Sequence, residues 1–349
     1  MNKYELAAKK IIDGYLKISN NERFFIITDS NSNFPYLLSK ACFEIAKSKG
    51  IETKMLVQKK IEYGPADKKT IEFLRNLRKG DCLFLCLNGK LGNLYESFKK
   101  GFRTYLRVNG VRFATMVGLE NMKNEDFVLD LINFDTNKIK SIGERLKKIL
   151  DEGKEIEIFG KSGTRIKASI EKRRSWFNSG EFWEYGKGGN IPAGDITIPP
   201  IEGSVEGVVF ADVSVKAGNE TLGSKKPIKF VIKDGEIVDI SGDDFIKNKI
   251  ENDLTNFSII NSRQGFDPRA IFRICEIGFG LLPGSPIGVN FIDGKLFGIA
   301  GIANGNNYGK GGKNKCRGHR QHLFMLDKIR VDEKTLTLKD LIYKDKELV

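Results

Sequence analysis

Between residues 23 and 153, apolar runs of strand length alternate with amphipathic runs of helix length. This alternation restricts the fold more than any other feature of the chain. RFFIITDS (23–30) is a short apolar strand ending in polar turn residues, and YLLSKACFEIAKSKG (36–50) reads as an amphipathic helix stopped by Gly50. IETKMLVQ (51–58) is a second strand, DKKTIEFLRNLRKGD (67–81) a second glycine-stopped helix, and CLFLCLN (82–88) a buried strand. GFRTYLRVNGVRFATMVG (101–118) reads as a helix leading into a strand, and IKSIGERLKKILDEG (139–153) as a closing helix. Strands separated by helices pair in parallel, because a parallel neighbour needs a crossover of a dozen or more residues. The rhythm therefore predicts a doubly wound parallel sheet. ITDSNSNFP, after the first strand, contains no glycine, so the G-x-G-x-x-G turn of dinucleotide-binding folds is absent.

The pattern changes near residue 154. EIEIFG, RIKASI, SVEGVVFADVSV and PIKFVIKDGEIVDI are short alternating runs with glycine-containing turns. FVIKDGEIVDI predicts a hairpin at Asp234-Gly235, and VNFIDGKLFGIAGI a second around Asp293-Gly294. One helix is expected near 245–257. The expected organisation is an α/β Rossmann-like domain over 1–150, without a dinucleotide motif, and a mixed α+β domain with antiparallel sheet over 151–349 that carries the site.

Composition narrows the function classes. The chain has 349 residues and a formal charge of +13, from 58 Lys and Arg against 45 Asp and Glu. The basic residues are dispersed among acidic ones and are densest at Glu171–Arg174 and in the opening stretch, and no nucleic-acid motif is present. The pattern argues against specific nucleic-acid binding. No apolar run is long enough to span a bilayer, and the amphipathic start MNKYELAAKKIIDGYL lacks the apolar core of a signal peptide, so a cytoplasmic protein without membrane partners is expected. Five scattered cysteines do not form a disulfide framework. Cys82 and Cys86 read as core thiols, and neither has zinc ligands nearby in sequence.

Three stretches carry residues capable of chemistry. In GGNIPAGDITIPPIEG (188–203), Asp195 stands where a strand begins, as a metal ligand or as a turn-stabilising carboxylate. In ICEIGFG, Glu276 has apolar neighbours and requires a metal, hydrogen bonds, or a cation such as Arg269 or Arg273. In KLFGIAGIANGNNYGKGGKNKCRGHRQHLFMLD, Tyr308 stands among glycine and asparagine, followed by Lys310, Lys313, Lys315 and the chain's two histidines, His319 and His322. These lysines have the charge to meet a phosphate, but the G-x-x-x-x-G-K-[ST] form of a phosphate loop is absent.

Taken in order, GNIPAGDITIPPIEGSVEGVVFAD, ICEIGFGLLPGSP and DGKLFGIAGIANGNNYGKGGKNK resemble the aminopeptidase T family of metalloaminopeptidases. They equally resemble relatives that include the iron-dependent dihydroxypyridine dioxygenases. The resemblance covers nearly the whole chain. It implies two divalent metals held by two glutamates, two histidines and an aspartate, with a tyrosine close by, in proteins that are often homodimers. Carried over residue by residue, the first glutamate falls on Asp195, the second on Glu276 and the tyrosine on Tyr308. One histidine falls on Gly301. The closing His-x-Asp pair falls on His319-Arg320-Gln321 or His322-Leu323-Phe324, and neither register holds an aspartate.

Asp195, Glu276, His319 and His322 are thus the candidate ligands for zinc, cobalt or iron, with one ion or none, and Tyr308 is the candidate oxyanion stabiliser or proton donor. Three readings follow. The first is an aminopeptidase-like metal-dependent hydrolase of peptides or small amides with an altered site. The second is a non-peptidase relative that has lost the metals and binds a small anionic ligand or a partner. The third is a single-iron dioxygenase-like enzyme acting on an aromatic substrate.

Overall fold

A computed structural model describes residues 1–29, 33–61, 64–119, 122, 124–218, 220–223 and 225–342. The chain divides into two compact units, Met1–Thr136 with Gly180–Ala193 and Asn137–Ser179 with Gly194–Val349.

The first unit is the doubly wound sheet. Five strands run parallel in the order Glu52–Val57, Arg23–Thr28, Cys82–Leu87, Arg112–Val117 and Gly188–Asn190. The first strand lies between the second and third, so the chain winds outward in both directions from it. Ser30, the last residue of the first predicted strand, lies outside the described residues. Helices Phe34–Ser48, Lys68–Arg75 and Phe102–Val108 supply the crossovers, and Gly50 and Gly80 follow two of them at φ +76° and +95°. The central strand CLFLCL is buried at every position, which explains its unbroken apolar run. Phe25, Ile27, Leu83, Leu85 and Phe113 pack with the helix residues Leu74 and Leu106 into one apolar cluster. Cys82 and Cys86 are fully buried thiols. The fifth strand returns from residues 188–190 to pair with Arg112–Val117, which brings 180–193 back into this unit.

The named strands of the second unit pair antiparallel. The strand His319–Val331 organises it, with His319–Met325 pairing to Ile299–Gly305 and Leu326–Val331 pairing to Glu155–Gly160. Outward from Ile299–Gly305 the order continues through Ile274–Gly280, Asp195–Ile198 and Trp176–Asn178. Outward from Glu155–Gly160 it continues through Arg165–Ser169, Glu206–Ala211, Ile228–Lys233 and Glu236–Ser241. The expected helix near 245–257 spans Asp244–Arg263 and is capped by the Asp243 carboxylate. Helix Asn137–Glu152 also belongs to this unit. Among the described residues no helix is long and apolar enough to cross a membrane.

One expected hairpin forms and one does not. Asp234 and Gly235 take φ of +50° and +74° between Ile228–Lys233 and Glu236–Ser241, as a two-residue turn of twisted strands requires. Around Asp293-Gly294 the chain instead makes a helical turn, Asn290–Asp293, and Gly294 has φ −66°. The Asp293 carboxylate accepts from the Ile287 and Gly288 amides at 2.8 and 3.0 Å, so its side chain organises the preceding loop rather than a hairpin.

A Cβ at Gly235 would lie 2.7 Å from the Gly203 backbone, in addition to the strain at positive φ. Gly235→Ala is therefore expected to cost about 1–2 kcal/mol. Urea unfolding with an unchanged m-value checks this, and an unshifted midpoint contradicts the turn assignment.

Candidate functional site

Strand pairing determines which candidate residues share a face. Asp195 is opposite Gly280 and Thr197 opposite Gly278, while Gly278 is opposite Gly301 and Glu276 opposite Ala303. Across the next pair, Gly301 meets Leu323, Ala303 meets Gln321 and Gly305 meets His319. Alternate residues of a strand point to opposite faces. Asp195, Thr197, Glu276, Gly301 and His319 thus belong to one face, and His322 to the other. Ile274 pairs with Asn304 but Glu276 pairs with Ala303, so a bulge at Cys275 sets the side to which Glu276 points.

The two candidate carboxylates are each held by a lysine. The Lys295 ammonium donates to Asp195 Oδ1 at 2.6 Å, and Asn178 Nδ2 donates to the same oxygen at 2.9 Å. The Lys310 ammonium pairs with Glu276 and donates to Thr197 Oγ1 at 3.2 Å. Glu276 and Lys295 are buried, whereas Lys310 is about one-third exposed. Burial pushes the Asp195 carboxyl up, but Lys295 overrides it and holds the group below its ordinary value. Burial likewise pushes Glu276 up, and Lys310 overrides it. Arg269 and Arg273, expected as partners of Glu276, bind elsewhere. Both pair with Glu236, and Arg273 also pairs with Asp267. Arg273 is only three residues from Glu276, but Lys310 reaches the carboxylate from a distant loop.

That loop is tightly built. Lys310 closes the short 3-10 turn Tyr308–Lys310. Glu202 accepts from Asn307 Nδ2 at 3.1 Å and from the Lys313 amide at 2.6 Å, and Arg173 Nη1 donates to the Gly311 carbonyl at 2.6 Å. Gly312 is required, because a Cβ there would lie 2.0 Å from the Asn307 side chain. The glycines and asparagines of this stretch thus aim one lysine. Tyr308 is 62% exposed, and the Lys315 ammonium lies 5.4 Å from its ring centroid.

The histidines separate. His319 lies at the start of its strand with Nδ1 3.5 Å from the Cys275 thiol. His322 is fully buried, with Nε2 3.0 Å from Asn304 Oδ1 and its ring 4.3 Å from that of Phe230, and Nδ1 has no hydrogen-bond partner. Burial pushes its pKa down to about 3, so it is neutral at physiological pH. Arg320, between them in sequence, forms a buried ion pair with Asp253. At Gly301, the histidine position of the resemblance, a Cβ would lie 2.6 Å from Cδ2 of the buried Leu323, so that space is filled.

The donor set does not fit the implied metals. Among the described residues no group of three or more His, Cys, Asp or Glu side chains is arranged to hold a metal ion. The two carboxylates and two lysines form a charge-neutral cluster. Two unit charges 4 Å apart in a protein environment interact by about 4 kcal/mol, and a divalent ion doubles the repulsion from each ammonium. Lys295, Lys310, Asn178 and Thr197 are the residues that sequence reasoning did not assign to Asp195 and Glu276. The lysine-rich loop was visible in sequence, but its target was not.

Lys310→Met leaves the Glu276 carboxylate buried and unpaired. Breaking a fully buried pair costs about 3–5 kcal/mol, and the partial exposure of Lys310 reduces the expected loss to about 2–3 kcal/mol. Adding Glu276→Gln should restore most of it. Because both carboxyl pKa values are depressed, the pairs stabilise the fold above the ordinary carboxyl range, about pH 4. That stability is lost as pH falls through the folded-state values. Urea midpoints between pH 3 and 7 check this, and a double variant with the wild-type acid slope would contradict it.

No protein-family model matches the chain, and no curated protein does. Solved structures that resemble it over nearly their whole length include two of known identity. One is 2,5-dihydroxypyridine dioxygenase from Pseudomonas putida, at 16% identity and a TM-score of 0.72, covering 97% of this chain and 96% of that one. The other is wild-type AmpT from Thermus thermophilus, at 13% identity and a TM-score of 0.64, covering 96% and 97%. A dioxygenase and an aminopeptidase T are the two kinds of protein that the ordered motifs resemble, and this chain has the fold they share.

Proposed function

We propose that this chain is a metal-independent relative of these enzymes that binds a small anionic molecule, of carboxylate type, at the sheet face around Lys310. The observation that carries the reading is the pairing of Asp195 with Lys295 and of Glu276 with Lys310. In this reading the ammonium groups supply the positive charge that divalent ions supply in the aminopeptidase T family. An ammonium has three N–H donors. Lys310 uses two, toward Glu276 and Thr197, and its partial exposure leaves the third for a ligand. Lys313 and Lys315 on the same loop are exposed and add attraction for an anion. Lys295 is buried against Asp195 and keeps that carboxylate from repelling the ligand.

Two measurements test the proposal. After incubation with zinc, cobalt or ferrous iron and dialysis, elemental analysis should find no stoichiometric metal, and a leucyl amide should not be hydrolysed above the free-ion background. One or two retained equivalents, with hydrolysis lost in Glu276→Gln, would overturn the reading in favour of a hydrolase. Calorimetry with acetate, succinate and glutamate should find at least one ligand whose affinity falls about 10- to 100-fold in Lys310→Ala, as expected for loss of a charge-assisted hydrogen bond.

A further inference from the structure

The antiparallel unit contains a cleft lined by none of the sheet-face residues Asp195, Glu276, Lys295 and Lys310. This cleft, of about 590 Å³, lies between the last turns of helix Asn137–Glu152 and the turn at 170–174. Its volume is within the usual range for small-molecule sites. Five cations line it: Lys147 and Lys148 on the helix, and Lys172, Arg173 and Arg174 on the turn. The turn residues belong to Glu171–Arg174, the basic cluster that stood out in the sequence and that the sheet-face site does not use.

The lining carboxylates, Glu144, Asp151 and Glu152, leave an excess of two positive charges. Asp151 is also occupied. It pairs with Lys147 and accepts from the Ser175 amide and hydroxyl, both at 2.6 Å. Arg174 reaches Asp151 only at 4.0 Å, and Lys148 reaches Glu152 only at 4.0 Å. The Lys172 side chain has no hydrogen bond or ion pair among the described residues.

Two further observations concern the turn. Arg173 is 8% exposed, and its Nη atoms bind Gly311 and Glu202, yet its Nε has no acceptor. A buried guanidinium N–H without a partner is uncommon in native proteins. Lys172 is held at φ +59°, in a turn closed by the Arg173 amide on the Ile170 carbonyl at 3.0 Å. A lysine is disfavoured in this left-handed conformation, where glycine is at ease.

We propose that this cleft binds a small phosphate-class anion carrying more than one anionic group. Lys172 and Arg174 grip one end from the turn, Lys148 meets the other from the helix, and the buried Arg173 guanidinium adds positive charge to the wall. Cations on two walls favour a diphosphate over a single phosphate. Lys310 does not line this cleft, although Arg173 on its wall also binds the Gly311 carbonyl of the Lys310 loop.

Calorimetry of the full chain at low salt, with inorganic pyrophosphate as probe, tests the proposal. One equivalent is expected to bind, more tightly than orthophosphate and more weakly as salt rises. The Lys172→Gly, Arg174→Ala double variant should bind at least 10-fold more weakly. Glycine suits φ +59°, so this variant should unfold at the wild-type temperature or above, which separates lost binding from lost fold. Lys310→Ala should bind pyrophosphate as wild type does, and its failure to do so would move the anion to the sheet-face site and overturn the proposal. Absence of binding, or an unchanged affinity in the double variant, would also overturn it. ADP as a third probe distinguishes the sources, since equal affinity identifies the diphosphate alone and tighter binding a nucleotide.

Discussion

A carboxylate buried in the middle of a strand requires a counter-charge, and at Glu276 the counter-charge is the Lys310 ammonium. Much of the local architecture serves that meeting. A bulge at Cys275 sets the face on which Glu276 lies, and Thr197 on the neighbouring strand accepts a second hydrogen bond from the same lysine. The loop that delivers Lys310 is tied down by Glu202, Arg173 and an asparagine–glycine network. Asp195 and Lys295 repeat the arrangement nearby. With both carboxylates neutralised by side chains of the same chain, the cluster holds its charges in balance without an ion.

The long strand His319–Val331 shows how parity divides residues that are close in sequence. His319 and His322 are three apart, an odd separation, so a regular strand sends them to opposite faces. His322 enters the apolar layer beside Phe230 and becomes a neutral core residue, while His319 stays on the face of Glu276. Arg320 is spent on Asp253 of helix Asp244–Arg263, and Leu323 fills the space above Gly301. A residue pattern that suggests a ligand set therefore becomes one histidine facing the carboxylates and three structural contacts.

Legibility differed between the fold and the site for a physical reason. Parallel strands buried on both faces are continuous apolar runs, and helices between them carry a 3.6-residue period, so the first unit could be read from CLFLCL and its neighbours alone. The Asp234-Gly235 hairpin was readable because positive φ at both turn positions demands such residues. Asp293-Gly294 has the same letters but forms a helical turn, because Asp293 binds two loop amides that no local pattern announces. Arg273, near in sequence, was an expected partner for Glu276, yet Glu236 and Asp267 claim it.

The sequence by itself determined the alternation of elements, the motif order that resembles the aminopeptidase T family, and that no aspartate or histidine stands at two of the positions the resemblance implies. Local periodicity and residue identity are properties of neighbours along the chain. Only the tertiary structure decided that Lys310 and Lys295 stand against the two carboxylates, that His322 leaves the site face, and that Glu171–Arg174 borders a cleft with helix Asn137–Glu152. Electrostatic pairing depends on distance in space, and strand register and loop closure set those distances between residues far apart in the chain.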